Sequence, residues 1–311
     1  MATIDFSGQV VAVTGAGRGL GRLYALELAR RGAAVVVNDV GGTADGRGGD
    51  AGVAGAVVEE IRAAGGSAVA SADSVATPEG GAAVVAAAVA AWGRLDAVVS
   101  NAGIFQTVGF ADLAPADWRR MLAVHLDGAF HVCQPAFRIM RDQGYGRFVL
   151  VASSAGLFGQ HEVAHYAAAK AGILGLANVM ALEGAGHGIV ANAVLPFGTS
   201  RMVTDTVAGR EQVPEELAFL DAIRPELVVP LVVHLASQGC AVSHQAYSAC
   251  AGRYARVFVG LGDGWLANPG TVPTAEDVAA RLGEISATEP FTVPGSIYDE
   301  VAGVCARLGI I

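Results

Sequence analysis

"VVAVTGAGRGLG", residues 10–21, decides the fold of this chain. Residues 10–14 have the β-branched, apolar character of a buried strand, and glycines follow at positions 15, 17, 19 and 21, ahead of a helical pattern that runs to about residue 31. Glycines at this spacing allow a tight turn and a close approach to a pyrophosphate, whose charge is met by amides at the helix N-terminus. The stretch predicts a strand–turn–helix unit that binds a nucleotide, whereas an ordinary glycine turn is the alternative.

Short apolar runs recur along the chain, each followed by a helical pattern. They lie at 33–39, 67–73, 96–100, 147–153 and 189–195. Apolar strands that alternate with helices are typical of a parallel sheet buried on both faces. We place a seventh strand at 256–262 and interpret 227–252 as a buried amphipathic helix followed by a loop.

These patterns predict an α/β fold with a single Rossmann-type, doubly wound parallel sheet of about seven strands. We assign residues 1–267 to this dinucleotide-binding catalytic domain. Residues 268–311 form a C-terminal helical extension with helical patterns at 274–285 and 295–309, packed on the same domain or on a neighbouring subunit. A glycine-rich loop at 41–52 and a lid-like segment at 196–216 interrupt the regular alternation.

Composition excludes several classes of partner. The chain has 311 residues, of which 53% are hydrophobic and 16% charged, so it can bury a large core. Its net charge of −9 argues against a nucleic-acid or anionic-membrane partner. No signal peptide is visible, so we expect a cytoplasmic protein. The four cysteines lack the spacing of metal ligands, so we expect no metal site.

Asp39 ends the second predicted strand, where a carboxylate can accept both hydroxyls of an adenosine ribose. A 2′-phosphate at that position would meet like charge at short range, so NAD is favoured over NADP. Arg18 in the glycine loop points the other way, because its guanidinium could pair with that phosphate, although a solvated loop charge is an equal interpretation.

Tyr166 and Lys170 stand four positions apart and therefore share one helix face. A free tyrosine has a pKa of about 10. A neighbouring ammonium would lower the pKa of the phenol and make it a usable general acid and base. Ser153 ends the fifth predicted strand, where its hydroxyl could hold a carbonyl or alkoxide oxygen. Such a pair also arises by chance, but together with the nucleotide cradle it favours catalysis.

Together these residues resemble the short-chain dehydrogenase/reductase family from about residue 8 to residue 262. The motifs are TGAGRGLG (14–21), Asp39, Asp73, NAG (101–103), Ser153, YAAAK (166–170) and NAVLP (192–196). The resemblance implies that Tyr166 is the acid/base, that Lys170 binds the nicotinamide ribose and lowers the tyrosine pKa, and that Ser153 orients the reacting oxygen. The implied cofactor-binding residues are Gly15, Arg18, Gly19, Leu20, Gly21, Asp39, Asp73, Ser74, Asn101, Ala102, Gly103, Tyr166, Lys170, Pro196 and Thr199.

The sequence departs from the family pattern in two places. A fourth catalytic member is usually asparagine, whereas "VHLDGAF" (124–130) carries His125. This histidine could support a water relay to Lys170 or be a satisfied core imidazole, and both interpretations stay open. The usual "PG" after the sixth strand is "PFG" here, which affects the expected contact of Thr199 with the nicotinamide carboxamide.

Within the family, the chain most closely resembles the D-3-hydroxyacyl-CoA dehydrogenase unit of peroxisomal multifunctional β-oxidation enzymes. The shared features are VVVNDVGG (35–42), VVEEIRAAGG (57–66), VHLDGAF, GLANVMALEG (175–184), SRM (200–202) and GDGW (262–265). The resemblance implies an NAD-dependent oxidoreductase acting on a secondary alcohol, with an acyl thioester carrying a fatty or steroid acyl group as its small-molecule substrate. Arg201 in the lid-like segment is a candidate contact for that substrate, and a solvated charge is an equal interpretation.

Two alternatives remain: a non-catalytic NAD-binding redox sensor, and a reductase of a small ketone or steroid not linked to CoA. The stretch 118–140 and the helix after Lys170 are apolar around more than one face, as expected for helices buried between subunits. We therefore expect a homodimer or homotetramer, with a deep core helix of a monomer as the alternative.

Overall fold

The computed structural model describes residues 3–199 and 213–310. It divides into two compact units, one ending at Arg256 and the other beginning at Val257, and each is described by itself. The sequence placed this boundary at residue 267. All of the sequence motifs that bear on a nucleotide lie in the first unit.

An eight-stranded sheet forms the centre of the first unit, in the order β3-β2-β1-β4-β5-β6-β7-β8. All pairings from β1 to β7 are parallel. The strands are β1 Val10–Thr14, β2 Ala34–Asn38, β3 Ser67–Ser71, β4 Ala97–Ser100, β5 Gly146–Val151, β6 Ile189–Pro196, β7 Gln245–Cys250 and β8 Arg253–Val257. The α/β fold with a Rossmann-type parallel sheet is confirmed, with one strand more than expected.

Helices cover both faces of the sheet. They are α1 Gly19–Arg30, α2 Gly52–Ala63, α3 Pro78–Trp92, α4 Pro115–Leu122, α5 Gly128–Gln143, α6 Ala155–Phe158, α7 Ala164–Gly184, α8 Pro214–Ala222 and α9 Val229–Ala236. Helices α1, α2 and α9 pack on one face, and α3, α5 and α7 pack on the other. In α1, Gly21, Tyr24, Ala25 and Leu28 are buried, which is the one-face spacing of a helix packed on a sheet.

The central strands are buried on both faces. Val13 of β1 pairs with Val37 of β2 and Val99 of β4, and all three side chains are fully buried. Burial on both faces explains why these strands are continuous apolar runs rather than alternating ones. The six strands predicted between residues 10 and 195 are therefore found where the sequence placed them, within one or two residues at each end.

The predicted seventh strand at 256–262 is wrong. Strand β7 lies at Gln245–Cys250, inside the segment interpreted as a loop, and β8 follows after Ala251 and Gly252, both with positive φ. Two such residues form the tight turn of a hairpin. The sequence "QAYSAC" lacks the β-branched character of the other strands. Residues 256–262 are more apolar, and the strand was therefore predicted there.

The second unit consists of short elements. They are β9 Leu261–Gly262, antiparallel to β10 Phe291–Thr292, and the helices α10 Ala275–Ala280, α11 Leu282–Ile285 and α12 Ile297–Arg307. Thr274 and Ser296 each form a capping box that starts a helix, so the two helical patterns of the tail are present. None of the described residues from 257 to 310 is buried. Across both units, no described helix combines the length and apolar character needed to cross a membrane.

Candidate active site

A cavity of about 830 Å³ opens at the carboxyl ends of the parallel strands in the first unit. Strands β1 and β4 lie side by side there, and the strand order reverses between them. Open α/β sheets bind their ligands at such a switch point. The predicted residues that line the cavity are Gly15, Arg18, Gly19, Leu20, Gly21, Asp39, Ser74, Asn101, Ala102, Gly103, His125, Ser153, Tyr166, Lys170 and Pro196.

The glycine loop is packed so closely that two of its positions have no room for a side chain. A Cβ on Gly21 would lie 2.1 Å from the carbonyl oxygen of Gly15, and one on Gly15 would lie 2.7 Å from Ala102 Cα. Gly19, with φ of +51°, has nothing within 4 Å of its Cβ position and lines the cavity. The backbone at Gly19 is therefore open to a ligand.

The start of α1 suits an anion. The first turn of α1 carries no acidic residue, and Arg18 at its N-cap makes no side-chain capping bond. The amides of this twelve-residue helix start at the cavity beside Gly19. A pyrophosphate is stabilised by such amides and by the helix dipole. The loop thus fits the diphosphate of a nicotinamide dinucleotide.

Asp39 is held at the end of β2 by two backbone amides. Its Oδ2 accepts a hydrogen bond from Gly17 N at 2.9 Å, and its Oδ1 accepts one from Gly41 N at 2.7 Å. Arg18 Nη1 donates to the carbonyl oxygen of Gly42 at 3.1 Å, which ties Arg18 to the glycine-rich loop. The carboxylate is therefore fixed on the cavity wall.

Asn101 and Thr14 join the ends of β4 and β1. Thr14 Oγ1 accepts hydrogen bonds from the amides of Asn101 at 2.9 Å and Ala102 at 3.0 Å. Asn101 Nδ2 donates to the carbonyl oxygen of Thr14 at 3.0 Å. These bonds satisfy the backbone groups that the diverging strands would leave unpaired, and they fix the floor of the cavity.

Ser153, Tyr166 and Lys170 meet on one wall of this cavity. Lys170, on α7, is buried, and its Nζ donates to the carbonyl oxygen of Val151 at 2.6 Å. Nζ lies 5.7 Å from the centroid of the Tyr166 ring. The Tyr166 hydroxyl is hydrogen-bonded to the side chain of Ser153. The ring is held by edge contacts with Phe105 at 5.1 Å and His125 at 5.2 Å between centroids.

The pKa values of Tyr166 and Lys170 differ from the sequence-based expectation. Burial raises the pKa of Tyr166, and the hydrogen bond from Ser153 acts against this rise. Burial lowers the pKa of Lys170 to about 7. The expectation that Lys170 lowers the pKa of Tyr166 is not met here, because burial penalises both the ammonium and the phenolate.

His125 lies in a π-helical turn, Ala123–Asp127, between α4 and α5. Its Nε2 is 2.7 Å from the carbonyl oxygen and 3.1 Å from the amide nitrogen of Ile104. A Cβ on Gly103 would lie 2.4 Å from His125 Cε1, so the imidazole packs directly on that backbone. Burial first, and then the charge of Lys170, lower the pKa of His125 well below its usual value. His125 is thus a neutral side chain that holds the loop after β4.

Two predicted cofactor residues are not brought to the cavity wall. Asp73 is exposed, and its Oδ2 accepts a hydrogen bond from Ser71 Oγ at 2.9 Å. Thr199 Oγ1 donates to the carbonyl oxygen of Leu220 at 2.7 Å. Neither is among the cavity-lining residues in the part of the chain that the structure describes. Arg201 and most of the predicted lid lie outside the described residues.

Several cavity residues have no sequence motif of their own. Phe105 and Arg120 line the cavity, as does Gln160. The loop 41–52 also reaches it: Phe105 N donates to the carbonyl oxygen of Ala44 at 2.9 Å. The glycine content of this loop was the one available signal, and five of its residues line the cavity: Gly42, Thr43, Ala44, Gly46 and Gly48.

The chain matches known proteins as follows. The family model described as short chain dehydrogenase matches residues 9–212. A short-chain type dehydrogenase/reductase of Mycobacterium tuberculosis is 44% identical over 89% of this chain and 94% of its own length. Hydroxyacyl-CoA dehydrogenase ChsB1 of the same organism is 39% identical over 77% of this chain and 76% of its own length.

A solved structure is similar over nearly the whole chain. It is that of full-length peroxisomal multifunctional enzyme type 2 from Drosophila melanogaster, with a TM-score of 0.81, 31% sequence identity and 98% of this chain covered. The chain spans half the length of that enzyme. The matched motifs, the switch-point cavity and these similarities lead to one conclusion: the chain belongs to the short-chain dehydrogenase/reductase family and is an oxidoreductase.

Proposed function

We propose that the protein is an NAD-dependent dehydrogenase that oxidises a secondary alcohol, and that its substrate is a D-3-hydroxyacyl-CoA with a fatty or steroid acyl group. The observation that carries the proposal is that Ser153, Tyr166 and Lys170 line the same cavity as the glycine loop and Asp39. A nucleotide and an alcohol bound there would share one enclosed space.

The choice of NAD over NADP rests on Asp39. Its carboxylate is fixed by Gly17 and Gly41, so it stays where ribose hydroxyls would bind. A 2′-phosphate there would be repelled by the fixed negative charge, and Arg18 is already engaged by the carbonyl oxygen of Gly42. When bound, the nicotinamide ring accepts or donates the hydride.

In the oxidative direction, the Tyr166 phenolate takes the proton of the substrate hydroxyl. Ser153 orients the reacting oxygen and, through its bond to Tyr166, opposes the rise of the phenol pKa that burial causes. The edge contacts with Phe105 and His125 hold the phenol in one orientation, so little entropy is lost when the reaction begins. Lys170 lines the same cavity, and we expect its amine to bind the nicotinamide ribose.

The substrate class is supported by similarity and by the cavity. One relative is named as a hydroxyacyl-CoA dehydrogenase. A volume of about 830 Å³ falls within the usual range of roughly 300–1,000 Å³ for small-molecule sites. Phe105 supplies an apolar surface beside Tyr166, and Arg120, which is paired with Asp117, also lines the cavity.

The test is a substrate panel. The purified protein is given NAD or NADP with D- and L-3-hydroxyacyl-CoA esters, the matching free acids and plain secondary alcohols, and reduced cofactor is followed by absorbance. We expect turnover with NAD and the D-thioesters. Turnover of free alcohols alone would overturn the substrate class but keep the reaction, and binding of NAD without turnover of any alcohol would point to a redox sensor.

We also propose a homodimer or homotetramer. Val179 and Leu182 on α7 are each 51% exposed, and Phe130 on α5 is 45% exposed. Large apolar side chains exposed together on adjacent helices are typical of a subunit interface. Light scattering of the purified protein would give a monomer mass if this proposal is wrong.

A further inference from the structure

The loop 41–52, which we call the strap, leaves the sheet at β2 and is hydrogen-bonded at its tip to the segment that follows β4. The main-chain nitrogen of Phe105 donates to the carbonyl oxygen of Ala44 at 2.9 Å. Strand β1 lies between β2 and β4 in the sheet, and the glycine loop starts directly after β1. The strap therefore spans the end of the strand that leads into the glycine loop.

The strap and the glycine loop line the same cavity. Arg18 of the glycine loop also joins them, because its Nη1 donates to the carbonyl oxygen of Gly42 in the strap at 3.1 Å. Gly19, which is open to a ligand, and Gly46 and Gly48 of the strap all belong to this one lining. A ligand bound on the glycine loop would therefore share the cavity with the strap.

The two ends of the strap are held together at the end of β2. Asp50 N donates to the carbonyl oxygen of Val40 at 2.9 Å. Gly41, with φ of +73°, lies so close to Asp50 that a Cβ on it would be 2.1 Å from the Asp50 carbonyl oxygen. Gly41 N also donates to Asp39 Oδ1 at 2.7 Å. The strap is thus closed at its base, and the carboxylate that we expect to bind the ribose is part of that base.

The tip of the strap is held more lightly than its base. Besides accepting the hydrogen bond from Phe105, the tip packs on Ile104: a Cβ on Gly46, at φ of +83°, would lie 2.8 Å from Ile104 Cγ2. None of residues 41–50 is buried. Segments with few buried contacts open locally at a low cost in free energy. We therefore expect the tip to open while the base stays closed.

Phe105 links the strap to the phenol. Its amide donates to the strap, and its ring meets the Tyr166 ring edge-on, with centroids 5.1 Å apart and ring planes at 83°. Opening of the tip would release the Phe105 backbone and, with it, the ring that supports the phenol. The position of Tyr166 therefore depends on whether the strap is closed.

We propose that the strap closes over the diphosphate of bound NAD, and that the closed strap, through Phe105, positions the Tyr166 phenol for proton transfer. The inference rests on the proposed function, from which it takes the dinucleotide and the role of the phenol. A diphosphate held at the glycine loop would lie between that loop and the strap, so the cofactor would enter and leave only when the tip opens. Lids of this kind complete a catalytic site when they close, and in many enzymes their opening limits product release. Phe105 is a positioning residue in this arrangement, since it acts through Tyr166.

The first test uses trypsin and needs no turnover. Arg47 is the only trypsin site in the strap, and its side chain is 71% exposed. Cleavage after Arg47 is followed by intact-mass spectrometry with and without NADH. At an NADH concentration of about ten times its Kd, we expect cleavage to be about tenfold slower, because the open strap that trypsin cuts would not hold the cofactor. If NADH binds in a fluorescence titration but leaves cleavage at Arg47 unchanged, closure of the strap over the cofactor is overturned.

The second test opens the tip by mutation. In Gly46→Leu the new side chain clashes with Ile104, whereas Gly65→Leu places the same residue at φ of +84° just after α2, where nothing lies within 4 Å of the Cβ position. The two variants therefore carry similar backbone strain and differ in their effect on the strap. Stopped-flow displacement measures the release of NADH. We expect release to be about fivefold faster in Gly46→Leu, as for the loss of one hydrogen bond, and unchanged in Gly65→Leu. Equal release rates in the two variants would contradict the strap.

The third test separates the positioning of Tyr166 from the retention of cofactor. Stopped-flow absorbance gives the rate of NADH formation in the first turnover, with NAD and the best alcohol of the substrate panel in excess. Phe105→Ala removes the ring but keeps the amide that bonds to Ala44. We expect this variant to slow the first turnover about tenfold, as for a misplaced catalytic group, while NADH release stays at the wild-type rate. Phe105→Tyr, which keeps an aromatic ring, should restore the first turnover. A wild-type first turnover in Phe105→Ala, or no recovery in Phe105→Tyr, would overturn the positioning role.

The outcomes also distinguish failure of the strap from failure of the proposed function. Protection of Arg47 by NADH together with no turnover of any alcohol would contradict the proposed function and leave the closure of the strap standing. Turnover of the D-thioesters, with Arg47 cut equally fast whether or not NADH is bound, would overturn the strap and leave the proposed function standing.

Discussion

The Lys170 ammonium donates a hydrogen bond to the carbonyl oxygen of Val151 at 2.6 Å while lying 5.7 Å from the centroid of the Tyr166 ring. The lysine therefore ties α7 to the end of β5 and also places a titratable amine beside the phenol. Because it is buried, its pKa is lowered to about 7, so its charge depends on pH in the range where the enzyme would work.

Lys170 is the only lysine in the sequence, so its pKa can be measured directly. Selective ¹⁵N-labelling of lysine side chains should give one amine resonance, and we expect it to titrate near pH 7 in the cofactor-free protein. Titration near the usual 10.5 would show that burial does not control this group.

The same shift predicts how stability depends on pH. Lys170 has a lower pKa in the folded state than in the unfolded state, so between about pH 7 and pH 10.5 the unfolded chain binds more protons. Its contribution to stability therefore rises with pH in this window and is least favourable below pH 7. Thermal unfolding of Lys170→Met should show a smaller rise over this window than wild type. Parallel curves would contradict the assignment.

Ser153→Ala should move the pH dependence of oxidation. The Ser153 hydrogen bond lowers the pKa of Tyr166, so its loss should raise that pKa further. If the phenolate takes the substrate proton, the acidic limb of kcat against pH should shift to higher pH, with a lower rate at neutral pH. Ser154→Ala is the matched control, because the adjacent hydroxyl makes no capping bond to α6. A profile shared by both variants would exclude this role for Ser153.

Gly21→Ala should damage the nucleotide site, because its Cβ would lie 2.1 Å from the carbonyl oxygen of Gly15 and 2.6 Å from Asn101 Nδ2. We expect a loss of about 1–3 kcal/mol in the free energy of unfolding, as for other overpacked sites, together with weaker NAD binding. Gly55→Ala on α2 has nothing within 4 Å of its Cβ position and should be neutral or stabilising. Thermal melts and fluorescence titration with reduced cofactor measure both effects. If Gly21→Ala and Gly55→Ala had the same melting temperature and the same Kd for reduced cofactor, close packing at Gly21 would be refuted.

Asp39→Ser should reverse part of the cofactor preference. Loss of the carboxylate removes charge-assisted bonds to ribose hydroxyls, each worth about 1.5–3 kcal/mol, so NAD should bind at least about tenfold more weakly. NADP binding should strengthen, since the repulsion is gone. Asp142→Asn changes an exposed carboxylate on α5 and should leave both Kd values unchanged. A wild-type ratio of Kd values in Asp39→Ser would contradict the ribose assignment.

The sequence predicted the sheet well wherever strands are buried on both faces. Val10–Thr14 and its neighbours are continuous apolar runs because helices cover them above and below, and that pattern is visible without a structure. Strand β7 has a mixed composition, Gln245–Cys250, and only two of its residues are buried. Its identity as a strand depends on pairing with β6, which local composition does not encode.

The candidate active site was likewise predicted only in part. The motifs identified the residues that converge at the switch point, because most of them stand at the end of a strand or in the first turns of a helix. The sequence could not give the pKa shifts of Tyr166 and Lys170, because these depend on how much water the folded chain excludes. The sequence also could not give two positions in the site. The contact of His125 Nε2 with the Ile104 carbonyl oxygen depends on the π-helical turn, and the position of Arg120 at the cavity depends on the packing of α4 against α7.

The central claim is that the Tyr166 hydroxyl carries the reaction proton. Its most direct test is to measure both kcat and the Kd of reduced cofactor in Tyr166→Phe, with Tyr298→Phe, which changes an exposed tyrosine, as the control. We predict that turnover falls by roughly 10²–10⁴-fold, the usual contribution of a general acid or base, while the Kd of reduced cofactor stays at its wild-type value. Turnover at the wild-type rate in Tyr166→Phe, with the same cofactor affinity, would contradict the account.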